Sequence, residues 1–467
     1  MSEQTACPLE LCPLDNLQQY VEAQLSKHHV PAVSVAIWRD GQLYQGAAGN
    51  LNQETGVAAT TESIFRIASI TKVLTTSLVM QLVDEGKVDL DTPVKQYLRD
   101  FQIADPEATQ IITVRQLLNH TNGIAGDFFP DDLKHQGNLI ARYVDRCSLL
   151  PMIHPPGEMY SYSNAAFAIV GRMIEVIRGI SWAQAVEDYI FKPLGLEHSI
   201  TDPNKMIRYR AAVGHIPEPN SHRLNRIDQD NKTLGTAPGG STMMMSAADL
   251  VTFARAHMEG GLSASGERWL SAESVTAMRT PLFEKPRLKL KRRMQVGLGW
   301  GITDYPEGGI QTVGHTGSTG GCLSVLLTIP KQNIAFSVLT NGYRSSAMDG
   351  ITRDLLMALT GVDNAEDKPV PVELEPAQLQ KLVGRYESLD TVIDISYNDK
   401  QLAARIVYNI DPKPPLCIGL QAVDGDRFAY ITEQGLSANA LTFLNYNDEG
   451  KPQYIFNGGR LNPRVSL

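Results

Sequence analysis

The chain reads as an α+β domain built on an antiparallel sheet, followed by a small all-β unit. Three features predict it. A hairpin pattern near the start and a strand-rich stretch at 308–342 bracket a long region of helical periodicity, an order that fits α+β better than repeated strand–helix–strand units. After Gly361 the composition turns polar and proline-rich, "VDNAEDKPVPVELEPAQ", as a semi-rigid linker does. Beyond it lie short alternating runs parted by turn residues, the pattern of a small barrel or sandwich. These features divide the chain into 1–361, a linker at 362–378, and 379–467.

Each element has a local cause. In 14–28, Leu17, Val21 and Leu25 recur at helical spacing, which predicts an amphipathic opening helix. The period then shortens to two: Val33, Val35 and Ile37 alternate, Asp40-Gly41 supplies a tight turn, and Leu43 starts a return strand. From Thr71 to Gly86, Val73, Leu74, Leu78, Leu82 and Val83 mark a helix that ends at a glycine. Ser246 with Asp249 three later comes near to a capping box. Two apolar runs in 308–342, separated by "PKQN", predict two antiparallel strands, and "TRDLLMALTG" a closing helix. The strands from the two ends of this region are expected to meet in one sheet. In the C-terminal unit, "TVIDISY", "QLAARIVY", "RFAYIT", "ALTFLNY" and "QYIFNG" read as strands, and no catalytic grouping is visible among them.

Composition excludes several function classes. A formal net charge of -9 argues against general affinity for nucleic acid or anionic membrane, since phosphate binding needs a surplus of Lys and Arg on one face. The run "KPRLKLKRR" at 285–293 is a local exception, read as a solvated loop or hairpin, with an anionic-substrate rim or a subunit contact as the functional alternatives. No segment approaches 18 apolar residues in a row and the N-terminus lacks a secretory pattern, so no membrane span and a cytoplasmic protein are expected. Cys7, Cys12, Cys147, Cys322 and Cys417 are scattered without CxxC spacing, which predicts free thiols and no metal site.

The chemistry-bearing candidates begin with Ser69 and Lys72. A serine at a helix start has its backbone N–H at the positive end of the helix dipole, where an oxyanion is stabilised. A lysine three residues on shares its face and, if desolvated, can accept a proton. Alone, this spacing equally describes a helix cap and a solvent-facing lysine. Two more groups join it: Tyr162-Ser163-Asn164 ahead of an apolar helix, and His315-Thr316-Gly317 on a predicted strand.

Together they resemble the S-x-x-K, Y-x-N and K-T-G set of the penicillin-binding proteins and serine β-lactamases, in that family's order. The flanks "ITVRQLLNHTNGI", "PPGEMYSYSN" and "GGSTMMMSAADLVTFA" are similar to class C β-lactamase-related hydrolases, and the resemblance spans about 14–360. It implies an antiparallel sheet flanked by helices, an all-helical subregion, and a lipocalin-like C-terminal barrel. It implies Ser69 as acylated nucleophile, Lys72 as its proton partner, and Tyr162 as relay to the leaving group. Asn164 would hold Lys72 and the substrate amide, and His315, Thr316, Gly317 and Ser318 would line the substrate, with the N–H groups of Ser69 and Ser318 as oxyanion hole. No metal or cofactor is implied.

His315 stands where class C enzymes carry lysine, and imidazole is a weaker, pH-dependent anchor for a carboxylate. The expected activity is therefore that of a serine hydrolase acting on a small ester, or on a short peptide or amide containing a D-residue. β-Lactamase or D-alanyl-D-alanine carboxypeptidase activity is the alternative, and a non-catalytic scaffold the alternative of another class. The expected partners are a small-molecule or short-peptide substrate and, from the relatives' use of the barrel, a homo-oligomer. His120 in "LLNHTNG" is read as structural, and Tyr160 as a packing or substrate-wall residue rather than a catalytic one.

Overall fold

The computed structural model describes residues 14–130, 137–218, 224–227, 231–286, 292–365, 369–409 and 414–465. Cys7, Cys12 and residues 287–291 of the basic run lie outside the described residues. Helix α1 (Leu17–His28) precedes the first hairpin, β1 (Ala32–Arg39) and β2 (Gln42–Asn52). Asp40 and Gly41 take the turn at φ 53° and 79°, the left-handed pair that a two-residue hairpin needs.

Strands β3 (Gly301–Tyr305), β4 (Ile310–Thr319), β5 (Cys322–Ile329) and β6 (Ile334–Thr340) complete the central part of the sheet. Its order is β2-β1-β6-β5-β4-β3, extended at the rims by Val57–Ala58 on one side and by Arg293–Val296 and Phe283–Glu284 on the other. Val33 lies opposite Thr340, so the two ends of the domain do meet. Three strands, not two, form across 308–342: Gly320 and Gly321, both at positive φ, fold β4 back onto β5.

Alternation divides the side chains of the sheet between two cores. Ala32, Ala36, Ala335 and Leu339 face a core shared with α2 (Thr71–Asp84), α3 (Asn164–Arg178) and α4 (Ala247–Met258). Val33, Val35, Phe336 and Val338 face α1 and the closing helix α5 (Ser345–Thr360). In α2 every residue from Thr71 to Leu82 is buried, Lys72 included. The Ser246 cap forms only half of a capping box. Its hydroxyl accepts from Asp249 N–H at 3.1 Å, while the Asp249 carboxylate binds His198 N–H and the Ser199 hydroxyl instead.

The C-terminal unit is a closed barrel of eight strands. They are β7 (Gly384–Glu387), β8 (Thr391–Asn398), β9 (Gln401–Tyr408), β10 (Leu416–Ala422), β11 (Arg427–Thr432), β12 (Gly435–Tyr446), β13 (Pro452–Asn457) and β14 (Arg460–Val465). Pairing of β7 with β14 closes it and decides between the barrel and the sandwich. Ile393, Leu402, Ile406, Phe428, Phe443 and Ile455 fill its interior, with Leu382 of the preceding helix packed among them. The β13–β14 hairpin of the barrel packs against the preceding region: Phe456 and Leu461 share a small core with Ala125, Met159 and Tyr160.

Among the described residues no helix is long and apolar enough to cross a membrane, and no group of three His, Cys, Asp or Glu could hold a metal ion. Cys147 and Cys322 are buried free thiols and Cys417 is an exposed one.

Candidate active site

Ser69 sits in a single 3₁₀ turn, Ala68–Ile70, that runs directly into α2. The turn is tightly held. Ala68 has φ 48°, a left-handed conformation that costs a residue with a Cβ about 1–2 kcal/mol. Two glycines close on it: a Cβ at Gly240 would lie 2.3 Å from Ala68 O, and one at Gly317 only 2.2 Å from Ile67 O. The Ser324 hydroxyl donates to Ile67 O at 2.7 Å and anchors the turn to β5.

One turn further on, the Lys72 amine is fully buried and makes three hydrogen bonds, none to a carboxylate. Nζ lies 3.3 Å from Ser69 Oγ, 2.7 Å from Asn164 Oδ1 and 2.5 Å from Gly239 O. Burial pushes its pKa down to about 7, against the raising influence of Asp127 and with a further lowering from Arg460. Near neutral pH the amine therefore exchanges between ammonium and free base.

Tyr162 packs its ring 4.8 Å from Lys72 Nζ, and His120 lies against it at 4.3 Å between ring centroids. Burial pushes the phenol pKa well up, with Ser69 as the largest opposing influence, so the hydroxyl is neutral at physiological pH. His120 has φ 62°, and its Nδ1 accepts Ser163 N–H at 3.1 Å. Burial first, then the charge of Lys72, holds His120 neutral, and its bond orients the Tyr162–Ser163 turn. Tyr160 is buried and packs against His120 and Phe456.

Asn164 opens α3, whose first turn is capped by the Ser163 hydroxyl accepting from Ala166 N–H at 3.1 Å. Its amide is oriented from both ends. Oδ1 faces Lys72, while Nδ2 donates to Asp127 Oδ1 at 2.5 Å. Asp127 Oδ2 in turn accepts from Arg460 Nε at 2.6 Å.

Strand β4 forms the other wall. Its pairing with β3 stops where Gly314 faces Gly301, whereas its pairing with β5 continues to Thr319 opposite Cys322. Among the described residues, no strand pairs with one edge of β4 from His315 onward. Thr316 and Ser318 are exposed, Gly317 is buried against the Ser69 turn, and His315 is half-buried. His315 Nδ1–H donates to Thr316 O at 2.6 Å. Desolvation, then the charge of Lys72, pushes its pKa down to about 3, so it carries no charge at neutral pH.

The structure thus gathers Ser69, Lys72, Tyr162 and Asn164 in one cluster, with His315 6.4 Å from Tyr162 between ring centroids. Sequence reasoning missed Asp127, the Gly239 carbonyl and Arg460. The first two carry no recognisable local pattern. Arg460 follows "NGG", a hairpin-tip signal, but nothing in the string tells that this hairpin reaches the cleft. The barrel, in whose sequence no catalytic grouping is visible, nevertheless touches this cluster: Gly459 O accepts Tyr162 N–H at 2.9 Å, and Arg460 lies 4.8 Å from the Tyr162 ring. Among the described residues of the basic run, Lys285 approaches the site, its Nζ 5.2 Å from the Tyr160 ring.

Comparison with known proteins gives a consistent set of relatives. A family model described as Beta-lactamase matches residues 17–360. Penicillin-binding protein 4 of Amycolatopsis lactamdurans is 38% identical over 371 residues, covering 79% of this chain and 96% of that protein. The crystal structure of SurE superposes with a TM-score of 0.79 at 26% identity, over 97% of this chain and 99% of SurE, and its form with D-Leu gives 0.75. An octameric penicillin-binding protein homologue from Pyrococcus abyssi shares the fold, with a TM-score of 0.65 at 23% identity over 97% of this chain and all (100%) of that one.

Proposed function

Because the chain belongs to the Beta-lactamase family of serine hydrolases, we propose that it cleaves a small ester, or a short peptide or amide containing a D-residue, through an acyl-enzyme on Ser69. The observation that carries this reading is the buried Lys72 amine, 3.3 Å from Ser69 Oγ with its pKa lowered to about 7. Lys72 accepts the Ser69 proton as Oγ bonds to the carbonyl carbon. The oxyanion accepts from the N–H groups of Ser69 and Ser318, and the neutral Tyr162 phenol hands a proton to the departing oxygen or nitrogen while recovering one from Lys72. Water then enters by the same route and releases the acid. An extended acyl segment fits along the open edge of β4, where backbone groups beyond the last pair with β3 can pair with it.

The substrate preference rests on His315. A neutral imidazole offers no fixed cation for the carboxylate of a β-lactam, which favours ester or D-residue substrates over nitrocefin-like ones. That a relative of 26% identity was solved with D-Leu supports the D-residue branch. We propose further a division at 1–361, 362–378 and 379–467 and a homo-oligomer, the octameric relative supporting the latter. A cytoplasmic location is the last part of the proposal, which the exposed free thiol of Cys417 favours. The test is a panel of p-nitrophenyl esters, D- and L-aminoacyl anilides and nitrocefin, run beside fluorophosphonate labelling of the native chain and Ser69→Ala. Labelling that survives Ser69→Ala, or turnover confined to nitrocefin, overturns the reading.

A further inference from the structure

The barrel contributes a charge to the active site across a chain of contacts that begins on the β13–β14 hairpin. Gly458 and Gly459 make the turn at φ 57° and 94°, and Arg460 follows with its Nη1 donating to Gly458 O at 3.1 Å. The hairpin is stitched to the catalytic loop at both flanks: Tyr162 N–H to Gly459 O at 2.9 Å, and Leu461 N–H to Ser161 Oγ at 3.2 Å. Arg460 then meets Asp127, whose side chain is only 4% exposed, and Asp127 holds Asn164, which holds Lys72.

Asp127 is a nearly buried carboxylate one residue removed from the lysine that must lose its proton. Unpaired, it would favour the ammonium form of Lys72 and work against base catalysis. Arg460 offsets that charge. We propose that Arg460 is a positioning residue which makes the barrel an integral part of the catalytic unit, offsetting the charge of Asp127 so that Asp127 can orient Asn164 without raising the proton affinity of Lys72. The proposal rests on the reading of Lys72 as the base for Ser69.

The other polar and charged groups around Lys72 do not replace this role. Ser69, Asn164 and the Gly239 carbonyl are uncharged partners, and His120 and His315, one on the loop behind Tyr162 and one on β4, are held neutral. Tyr162 is a neutral phenol. Lys285 adds positive charge near His315, His120 and Tyr160. Asp390 of the barrel also acts electrostatically on Arg460.

The test follows the Lys72 titration midpoint by 13Cε NMR in the full chain with isotope-labelled lysine, for the native protein and for Arg460→Gln, Arg460→Lys, Asp127→Asn and the Asp127→Asn/Arg460→Gln pair. Lys72 and Arg460 both lie 4.8 Å from the Tyr162 ring centre, close enough for one charge to move the midpoint by about one pH unit. The expected result is a rise for Arg460→Gln, a fall for Asp127→Asn, and a return toward the native value for Arg460→Lys and for the pair. Thermal melts of each variant monitor folding, and the pair, which leaves no unpaired buried charge, keeps the test open if a single variant does not fold. A Lys72 midpoint that ignores both substitutions overturns the proposal. Opposite shifts in a chain whose Ser69 takes no fluorophosphonate would instead sink the proposed function and leave the charge coupling standing.

Discussion

Lys72 Nζ lies 3.3 Å from Ser69 Oγ in a site that buries the amine completely. A group whose pKa is lowered to about 7 is half free base at neutral pH, so acylation should rise with pH along a one-proton limb centred near 7. Lys72→Arg, which cannot deprotonate, should reduce acylation about 10²–10⁴-fold and abolish that limb. Stopped-flow acylation with a p-nitrophenyl ester between pH 5 and 9 measures both, and an unchanged limb in the variant would remove Lys72 as the base.

Tyr162→Phe keeps the ring against His120 and the Lys72 amine but deletes the proton carrier. Turnover should fall about 10²–10⁴-fold with the melting temperature little changed. Because proton delivery matters most for a poor leaving group, anilides should suffer more than activated esters. Equal losses on both would argue that the phenol serves Ser69 rather than the leaving group.

Gly240→Ala should damage the site without touching a reacting atom. The new methyl would stand 2.3 Å from Ala68 O and 2.8 Å from Ser69 N, so the turn carrying Ser69 must move. A destabilisation of about 1–3 kcal/mol is expected, together with at least a tenfold loss of labelling at Ser69. Urea melts and fluorophosphonate labelling read the two effects, and native labelling would show that the turn tolerates displacement.

His315→Lys tests the specificity argument. It places an ammonium on β4, where the neutral imidazole now stands, and nitrocefin hydrolysis should rise relative to ester hydrolysis. The ratio of the two kcat/KM values is the measurement. A native enzyme already efficient on nitrocefin would mean that the carboxylate anchor lies elsewhere.

His257, buried among Phe253, Trp269 and Trp300, hydrogen-bonds Ser77 and has its pKa lowered from 6.5 to about 3 by desolvation. Between those values the unfolded chain binds a proton that the native one refuses, so stability is full above pH 6.5 and falls as pH drops toward 3. His257→Gln should flatten that acid limb by up to about 1.4 kcal/mol per pH unit. Urea midpoints from pH 7 to 4 for both proteins provide the check.

Local signals carried most of the fold. The period-two run of Val33, Val35 and Ile37 became β1, and the helical run after Thr71 became α2, because each pattern reflects burial on one face of one element. Strands that lacked a long apolar run were missed. Arg460–Val465, which closes the barrel, alternates weakly and contains a proline. Proline there is tolerated because its neighbour β7 is short, with pairs at Arg385 opposite Val465 and Tyr386 opposite Arg464.

The sequence by itself determined the candidate set: a serine and lysine three apart at a helix start, a tyrosine and asparagine two apart before another, and a histidine in place of lysine on a strand. Spacing within one element suffices for that, since helix and strand geometry convert it directly into shared faces. Only the tertiary structure decided the protonation states and the role of the barrel. Burial lowers Lys72 and His315, and desolvation is a property of everything packed around a group rather than of its neighbours in the chain. Asp127 and Arg460 are 333 positions apart, and their contact exists because the barrel hairpin buries Phe456 and Leu461 against the loop that carries Met159 and Tyr160.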